Sequence, residues 1–259
     1  MRTLLLVLTL LVVTPPLALT VVVASLLGVK DRPHGIYQWA MRTWVTALLR
    51  AAGVRYQLHG AERIRRDGSA VYVSNHVSWF EIFVLAKVLP HFTFIAKSEL
   101  RKVPIFGRGA EAAGIVFIER ANRKAAFDQY ARASAQVRGG KSCVVFPEGT
   151  RGRDYHLRPF KKGPFVLAIG AEAPIVPVVA HGTIEIMPKG SLRVRPGVVD
   201  IHFLEPVQTA GCTYEDRDRI MRTVWSRMAD LLQHEYGVGT DEYPIARPDD
   251  RPEQETSII

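Results

Sequence analysis

The sequence predicts an α/β domain built on a mixed, mostly parallel sheet flanked by helices, preceded by an N-terminal membrane-associated helical segment. Three observations carry this. Short apolar runs at 70–74, 92–96, 115–118, 142–146, 175–179 and 198–203 alternate with helical patterns at 81–89, 122–137, 164–169 and 215–235, and strand–helix alternation builds parallel sheets covered by helices. Residues 3–29 carry no charge and are almost all apolar. The 259 residues are 47% hydrophobic and 23% charged, a balance that supports a sizeable core and argues against general disorder or a polytopic bundle.

In chain order, segment 3–29 comes first. It is long enough to cross a bilayer core of ~30 Å at about 1.5 Å per helical residue. Pro15 and Pro16 fall near its middle, and proline kinks or breaks a helix, so one kinked span and a shallow hairpin in one leaflet both fit. A cleaved signal peptide is the alternative, with Arg2 basic and Val22-Val23-Ala24 a weak cleavage site. The apolar run is longer than the usual signal core and continues past that site. The strands begin later, so the body should fold without this segment. Lys30, Arg32, Arg42, Arg50 and Arg55 follow, which makes this flank cytoplasmic by the positive-inside rule. Segment 34–52 mixes Trp39, Trp44, Leu48 and Leu49 with basic residues, a pattern shared by interfacial helices and core-packed amphipathic ones. The domain reading is an anchoring segment at 1–54, an α/β domain at 55–238 and an acidic, Pro-rich, disordered tail at 239–259. Thr213 with Asp216 forms a cap for the last helix.

Charge narrows the partner. Residues 240–259 hold six acids and two arginines, a net −4 against +9 for the whole chain, which leaves +13 on residues 1–239. A body this basic expects an anionic partner. With a membrane segment present, anionic lipid fits better than nucleic acid, for which the chain shows no zinc spacing, basic zipper or base-stacking pattern. Cys143 and Cys212 form neither a metal spacing nor a disulfide framework, and Cys143 falls in a strand as an inert core residue.

Chemistry in α/β sheets collects in loops at the carboxyl ends of strands. After 70–74 comes Asn75-His76-Val77-Ser78-Trp79-Phe80-Glu81. His76, emerging from a buried strand, is placed to act as a general base. Glu81 can reach it only if His76 lies in the turn before a helix capped by Ser78. Ser78-Trp79-Phe80-Glu81 is also a capping-box pattern in its own right, so Glu81 has a structural reading beside the catalytic one. After 115–118 comes Glu119-Arg120, where arginine can grip phosphate or be a solvated surface group. After 142–146 comes Pro147-Glu148-Gly149-Thr150-Arg151, readable as a type I turn or as a cradle for a polyol phosphate, with Glu148 on hydroxyls and Arg151 on charge. Arg153, Arg158, Lys161 and Lys162 follow and favour an anion. Gly140-Lys141-Ser142 is not a P-loop, because it precedes a strand that the motif should follow.

These blocks, followed by Val176-Pro177-Val178, resemble in order the four blocks of the glycerolipid acyltransferases, closest to bacterial 1-acyl-sn-glycerol-3-phosphate acyltransferases. The resemblance runs from about Tyr56 to Val207, and Ile95-Ala96-Lys97-Ser98-Glu99-Leu100 also fits that family. It implies transfer of a fatty acyl group from acyl-CoA or acyl carrier protein to the free hydroxyl of a lysophospholipid, most simply 1-acyl-glycerol-3-phosphate, giving phosphatidic acid. It also implies catalysis by His76 and Glu81, and substrate binding by Arg120, Glu148, Gly149, Thr150, Arg151, Lys97 and Lys162. The thioester is then expected to be the only co-substrate, with no metal or other cofactor, and the chain is expected at the inner (cytoplasmic) membrane with the catalytic domain on the cytoplasmic face. Glu81 departs from the family's aspartate. Another lyso-lipid acceptor, or a catalytically silent lipid-binding protein, is the alternative.

Overall fold

A seven-stranded sheet organises the chain, in a computed structural model that describes residues 1–103, 106–119 and 123–239. Arg120, Asn122 and the tail 240–259 lie outside the described residues. The elements in order are α1 (Arg2–Leu26), α2 (Ile36–Ala52), β1 (Val54–His59), β2 (Val71–Ser74), α3 (Phe80–Val88), β3 (Phe92–Lys97), α4 (Phe106–Ala112), β4 (Val116–Ile118), α5 (Arg123–Arg138), β5 (Ser142–Val145), α6 (Gly163–Ala171), β6 (Ile175–His181), α7 (Thr183–Ile186), β7 (Gly197–Phe203) and α8 (Arg217–Tyr236). The sheet order is β1-β7-β6-β2-β5-β3-β4. Neighbours are parallel except β6 and β7, which run antiparallel.

β2 sits at the centre of the sheet, and all four of its residues are buried. That is why it reads as an unbroken apolar run instead of an alternating one. Its side chains divide between two cores by the period-two pleat. Val71 and Val73 join Cys143, Val145, Ile175 and residues of α5, α6 and α8 on one face. Tyr72 joins Val144, Val176, Val178 and residues of α1, α2 and α3 on the other. Burial pushes the Cys143 thiol up to about 12, in keeping with an inert core residue. The capping box forms on the 3₁₀ turn 214–216 that leads into α8, with Thr213 and Asp216 bonding each other's backbone N–H groups, and α8 itself has no side-chain cap.

The short helices α4 and α7 are not marked by the helical patterns of the sequence, and two further elements, β1 and α1, depart from expectation. β1 is an additional edge strand in which buried Val54 and half-buried Tyr56 and Leu58 alternate with Arg55, Gln57 and His59. It pairs in parallel with β7 from Val54↔Gly197 to His59↔His202. α1 is one continuous helix with Pro15 and Pro16 inside it, so the segment does not turn back on itself at the prolines. Nor does it stand apart from the body. Leu6 is buried in the cluster that contains Val45 and Leu48 of α2. Thr3 Oγ1 accepts the Val194 N–H at 2.9 Å, and Trp44 Nε1 donates to Thr14 Oγ1 at 2.9 Å. α1 and α2 form a helical pair seated on one face of the sheet, and the outer face of α1 leaves Leu4, Leu8, Leu11, Val12, Leu19 and Leu26 exposed. Deleting residues 1–29 would therefore uncover apolar surface on α2.

Leu48 is fully buried where α2 meets the sheet. Leu48→Ala should lower the unfolding free energy of the full chain in detergent by about 2–5 kcal/mol, read as a shifted midpoint in denaturant titration.

Candidate active site

The chain leaves β2 at Ser74 and is at once fastened to its neighbours. Asn75 mimics a strand residue across the gap to β6: its Nδ2 donates to the Ala180 carbonyl at 3.0 Å and its Oδ1 accepts the Ala180 N–H at 2.8 Å. His76 comes next, in the turn before α3, with its ring stacked on Phe146 at a centroid distance of 4.2 Å.

Glu81, in the first turn of α3, is completely buried. Its Oε1 lies 2.7 Å from His76 Nδ1 and accepts the Val77 and Ser78 N–H groups, each at 2.9 Å. Its Oε2 accepts the Ser78 N–H at 3.0 Å. The structural and catalytic readings of Glu81 therefore hold together: the same carboxylate closes the turn and faces the imidazole. A neutral His76 that donates Nδ1–H to Glu81 keeps its lone pair on Nε2, the tautomer a general base needs. The capping-box pattern is partly realised: Glu81 accepts the Ser78 N–H, while Ser78 Oγ accepts the Phe80 N–H only at 3.5 Å and donates to the Met187 carbonyl at 2.7 Å, and the regular helix starts at Phe80 with Trp79 at the N-cap.

The loop after β5 closes against the same turn. Phe146 and Gly149 make the expected i→i+3 bond at 3.1 Å around Pro147, and Gly149 occupies φ +81°, a conformation that favours glycine. Gly152 N–H donates to the His76 carbonyl at 2.7 Å. Glu148 faces inward, toward His76 and Arg158. Its Oε1 accepts the His76 backbone N–H at 2.8 Å, and its Oε2 accepts from Arg158 Nε at 3.0 Å, with the side chain 1% exposed. Arg158 also donates to the Thr150 carbonyl. Glu148 thus holds the backbone of the histidine, and Arg158 holds Glu148. The sequence counts Arg158 only among the cations of an anion site; that it pairs with Glu148, ten residues earlier, depends on a burial that the sequence does not show.

Arg151 lies over the Trp79 ring, its guanidinium carbon 5.0 Å from the centroid. This cation–π contact joins the third block to the first beside His76. Lys97 ends β3, in register with Ile118 at the end of β4. Lys162 is placed at the start of α6, where its ammonium pairs with Asp218 of α8 at 3.1 Å. The fourth block, Val176-Pro177-Val178, lies in β6, in register with Tyr72, Val73 and Ser74 of β2. Pro177, which has no N–H to give, accepts from Leu204 just past the end of β7, where the antiparallel pairing of β6 gives out.

A histidine–carboxylate pair at the end of a central parallel strand, beside a stacked arginine, defines a site suited to deprotonating a hydroxyl near an anionic group. Known proteins are similar to this chain in sequence and fold. The family described as Acyltransferase matches residues 55–181. The 1-acyl-sn-glycerol-3-phosphate acyltransferase of Saccharomyces cerevisiae is 31% identical over 218 residues, which cover 82% of this chain and 71% of that one. The enzyme of the same name from Cocos nucifera is 39% identical over 142 residues, 54% of this chain and 46% of that protein. The crystal structure of the 1-acyl-sn-glycerophosphate (LPA) acyltransferase PlsC from Thermotoga maritima superposes with a TM-score of 0.71 at 25% identity, covering 89% of this chain and 95% of that one. The chain belongs to this acyltransferase family, although it spans about half the length of the Cocos relative.

Burial pushes the Glu148 carboxyl up to about 7 from an ordinary 4.5, against the lowering pull of Arg158 and of the His76 N–H. The native state then holds more protons than the unfolded state between those values, and stability falls as pH rises through that window. Glu148→Gln should show a flatter dependence of Tm on pH there. Coincident slopes for parent and variant would mean that Arg158 keeps Glu148 ionised throughout.

Proposed function

We propose that this chain is a membrane-associated acyltransferase that moves a fatty acyl group from a thioester, acyl-CoA or acyl carrier protein, to the free hydroxyl of 1-acyl-sn-glycerol-3-phosphate, giving phosphatidic acid. The observation that carries the proposal is the 2.7 Å contact between His76 Nδ1 and the fully buried Glu81 carboxylate. His76 Nε2 takes the proton of the acceptor hydroxyl as the oxygen attacks the thioester carbonyl. A C–O bond forms, and the tetrahedral adduct collapses by breaking the C–S bond. The departing sulfur takes the proton back from the imidazolium, which Glu81 stabilises while it lasts. The chemistry asks for no group beyond the thioester co-substrate. Arg151, braced by Trp79, is the acceptor-phosphate contact in this proposal, with Lys97 and Arg120 as further cations around the acceptor. The names of the relatives support phosphate-bearing lysolipid as acceptor.

Placement at the cytoplasmic face of the inner membrane is part of the same reading. It is supported by the exposed apolar face of α1 and by the basic residues that follow it. The silent lipid-binding alternative would not need a carboxylate aimed at the imidazole.

The test is acyl transfer in detergent or vesicles, with a panel of lysolipids offered alongside acyl-CoA and acyl carrier protein. His76→Ala should reduce turnover by about 10²–10⁴-fold while leaving thermal unfolding and vesicle binding as in the parent. Retained turnover would refute His76 as the base. Arg151→Ala should raise KM for the phosphate-bearing acceptor more than KM for the donor. A change confined to the donor would move Arg151 to the thioester side.

A further inference from the structure

Away from the His76 site, on the outer side of α2, a groove runs between α2 and α3. It is lined by Trp39, Arg42, Thr43, Thr46, Arg50 and Lys87 among others. We propose that this groove binds the headgroup of an anionic phospholipid of the bilayer, as a docking site separate from the reaction centre. The proposal rests on the membrane-associated reading of α1.

The charge is one-sided. α2 contains no aspartate or glutamate, and among the described residues Arg42, Arg50 and Lys87 take part in no ion pair with a carboxylate. Some basic residues elsewhere are paired, among them Arg63 with Glu205, Arg219 with Asp216, Lys141 with Asp31 and Lys162 with Asp218. The groove also has fixed parts. Lys87 Nζ donates to Thr46 Oγ1 at 2.7 Å, which ties the ammonium of α3 to α2. Arg42 Nη2 donates to the Leu89 carbonyl at 3.1 Å, and its Nε–H is buried without an acceptor. A guanidinium anchored at one nitrogen and under-bonded at another is short of an acceptor, and phosphate oxygens are the acceptors that guanidinium geometry matches best.

Position selects lipid over a soluble anion. α2 lies between α1 and α3, linked to α1 through Trp44 and Thr14 at 2.9 Å and to α3 through Trp44 and Phe83, whose rings meet at 5.6 Å. The groove therefore flanks the helix whose outer face exposes Leu4, Leu11, Val12 and Leu19. Trp39 is 52% exposed on α2, the kind of amphipathic ring that settles at headgroup level. With the α1 face in the acyl layer, the groove on the far side of α2 falls among the phosphates.

The experiment is co-sedimentation of the purified full chain with vesicles of phosphatidylcholine alone and of phosphatidylcholine mixed with phosphatidylglycerol. Parent protein should bind both, and bind the anionic vesicles more tightly by a salt-sensitive margin. Arg50→Gln with Lys87→Gln should cut that margin by about tenfold and leave binding to neutral vesicles unchanged. Arg132→Gln with Arg222→Gln, exposed positions on α5 and α8 against the opposite sheet face, should leave the margin intact. Equal losses in the two double variants would overturn the groove in favour of diffuse charge, as would an unchanged margin in the first. Loss of binding to an acidic carrier protein, with vesicle binding unaffected, would overturn it in favour of a protein partner. Failure of the parent to bind neutral vesicles would instead refute the membrane reading of α1.

Discussion

The carboxylate of Glu81 is the interaction on which the candidate site depends. A charge with no exposure to solvent is costly to bury unless donors surround it, and here three N–H groups from His76, Val77 and Ser78 do so. The position in the first turn of α3 adds the favourable end of the helix dipole. The turn that supplies these donors exists because β2 ends in the middle of the sheet, where Asn75 is fastened to β6 and the His76 backbone to Glu148. Loosening any of these would change the direction of one ring nitrogen. The acid is held by the backbone of the segment whose side chain it orients, so local folding and chemistry share the same hydrogen bonds.

Around this pair the site is built in layers. Glu148 and Arg158 lie behind His76, engaged with each other and with the backbone. Arg151 and Trp79 lie beside it as a stacked cation. The two oxygens of Glu81 span the Ser78 N–H and the imidazole together.

Much of this was legible in the sequence. The β2, β5 and β6 runs are continuous and apolar, as strands buried on both faces must be, and the loops that follow them carry the residues that converge. β1 was less visible because an edge strand with one wet face places Arg55 and Gln57 among its apolar residues, and these merge with the basic flank before it. The direction in which Glu148 points was not readable, since a carboxylate in a turn can face solvent or backbone and only burial decides. The seating of α1 on the body was hidden as well: an apolar helix long enough to cross a bilayer has the same composition as one half-buried against a sheet. Arg120 lies outside the described residues, and its role stands on the resemblance alone.

The central claim is that Glu81 orients His76 and stabilises it when protonated, and turnover of Glu81→Gln tests this most directly, measured beside Glu81→Asp at saturating acceptor and donor. Glutamine keeps the size of the side chain but removes the negative charge. The account predicts that kcat falls by about 10²-fold or more in Glu81→Gln with KM for both substrates little changed, and that Glu81→Asp, which retains the charge, recovers much of the loss. A glutamine variant with the kcat of the parent would contradict it, leaving Glu81 as a closure of the turn and the histidine to be oriented by some other group.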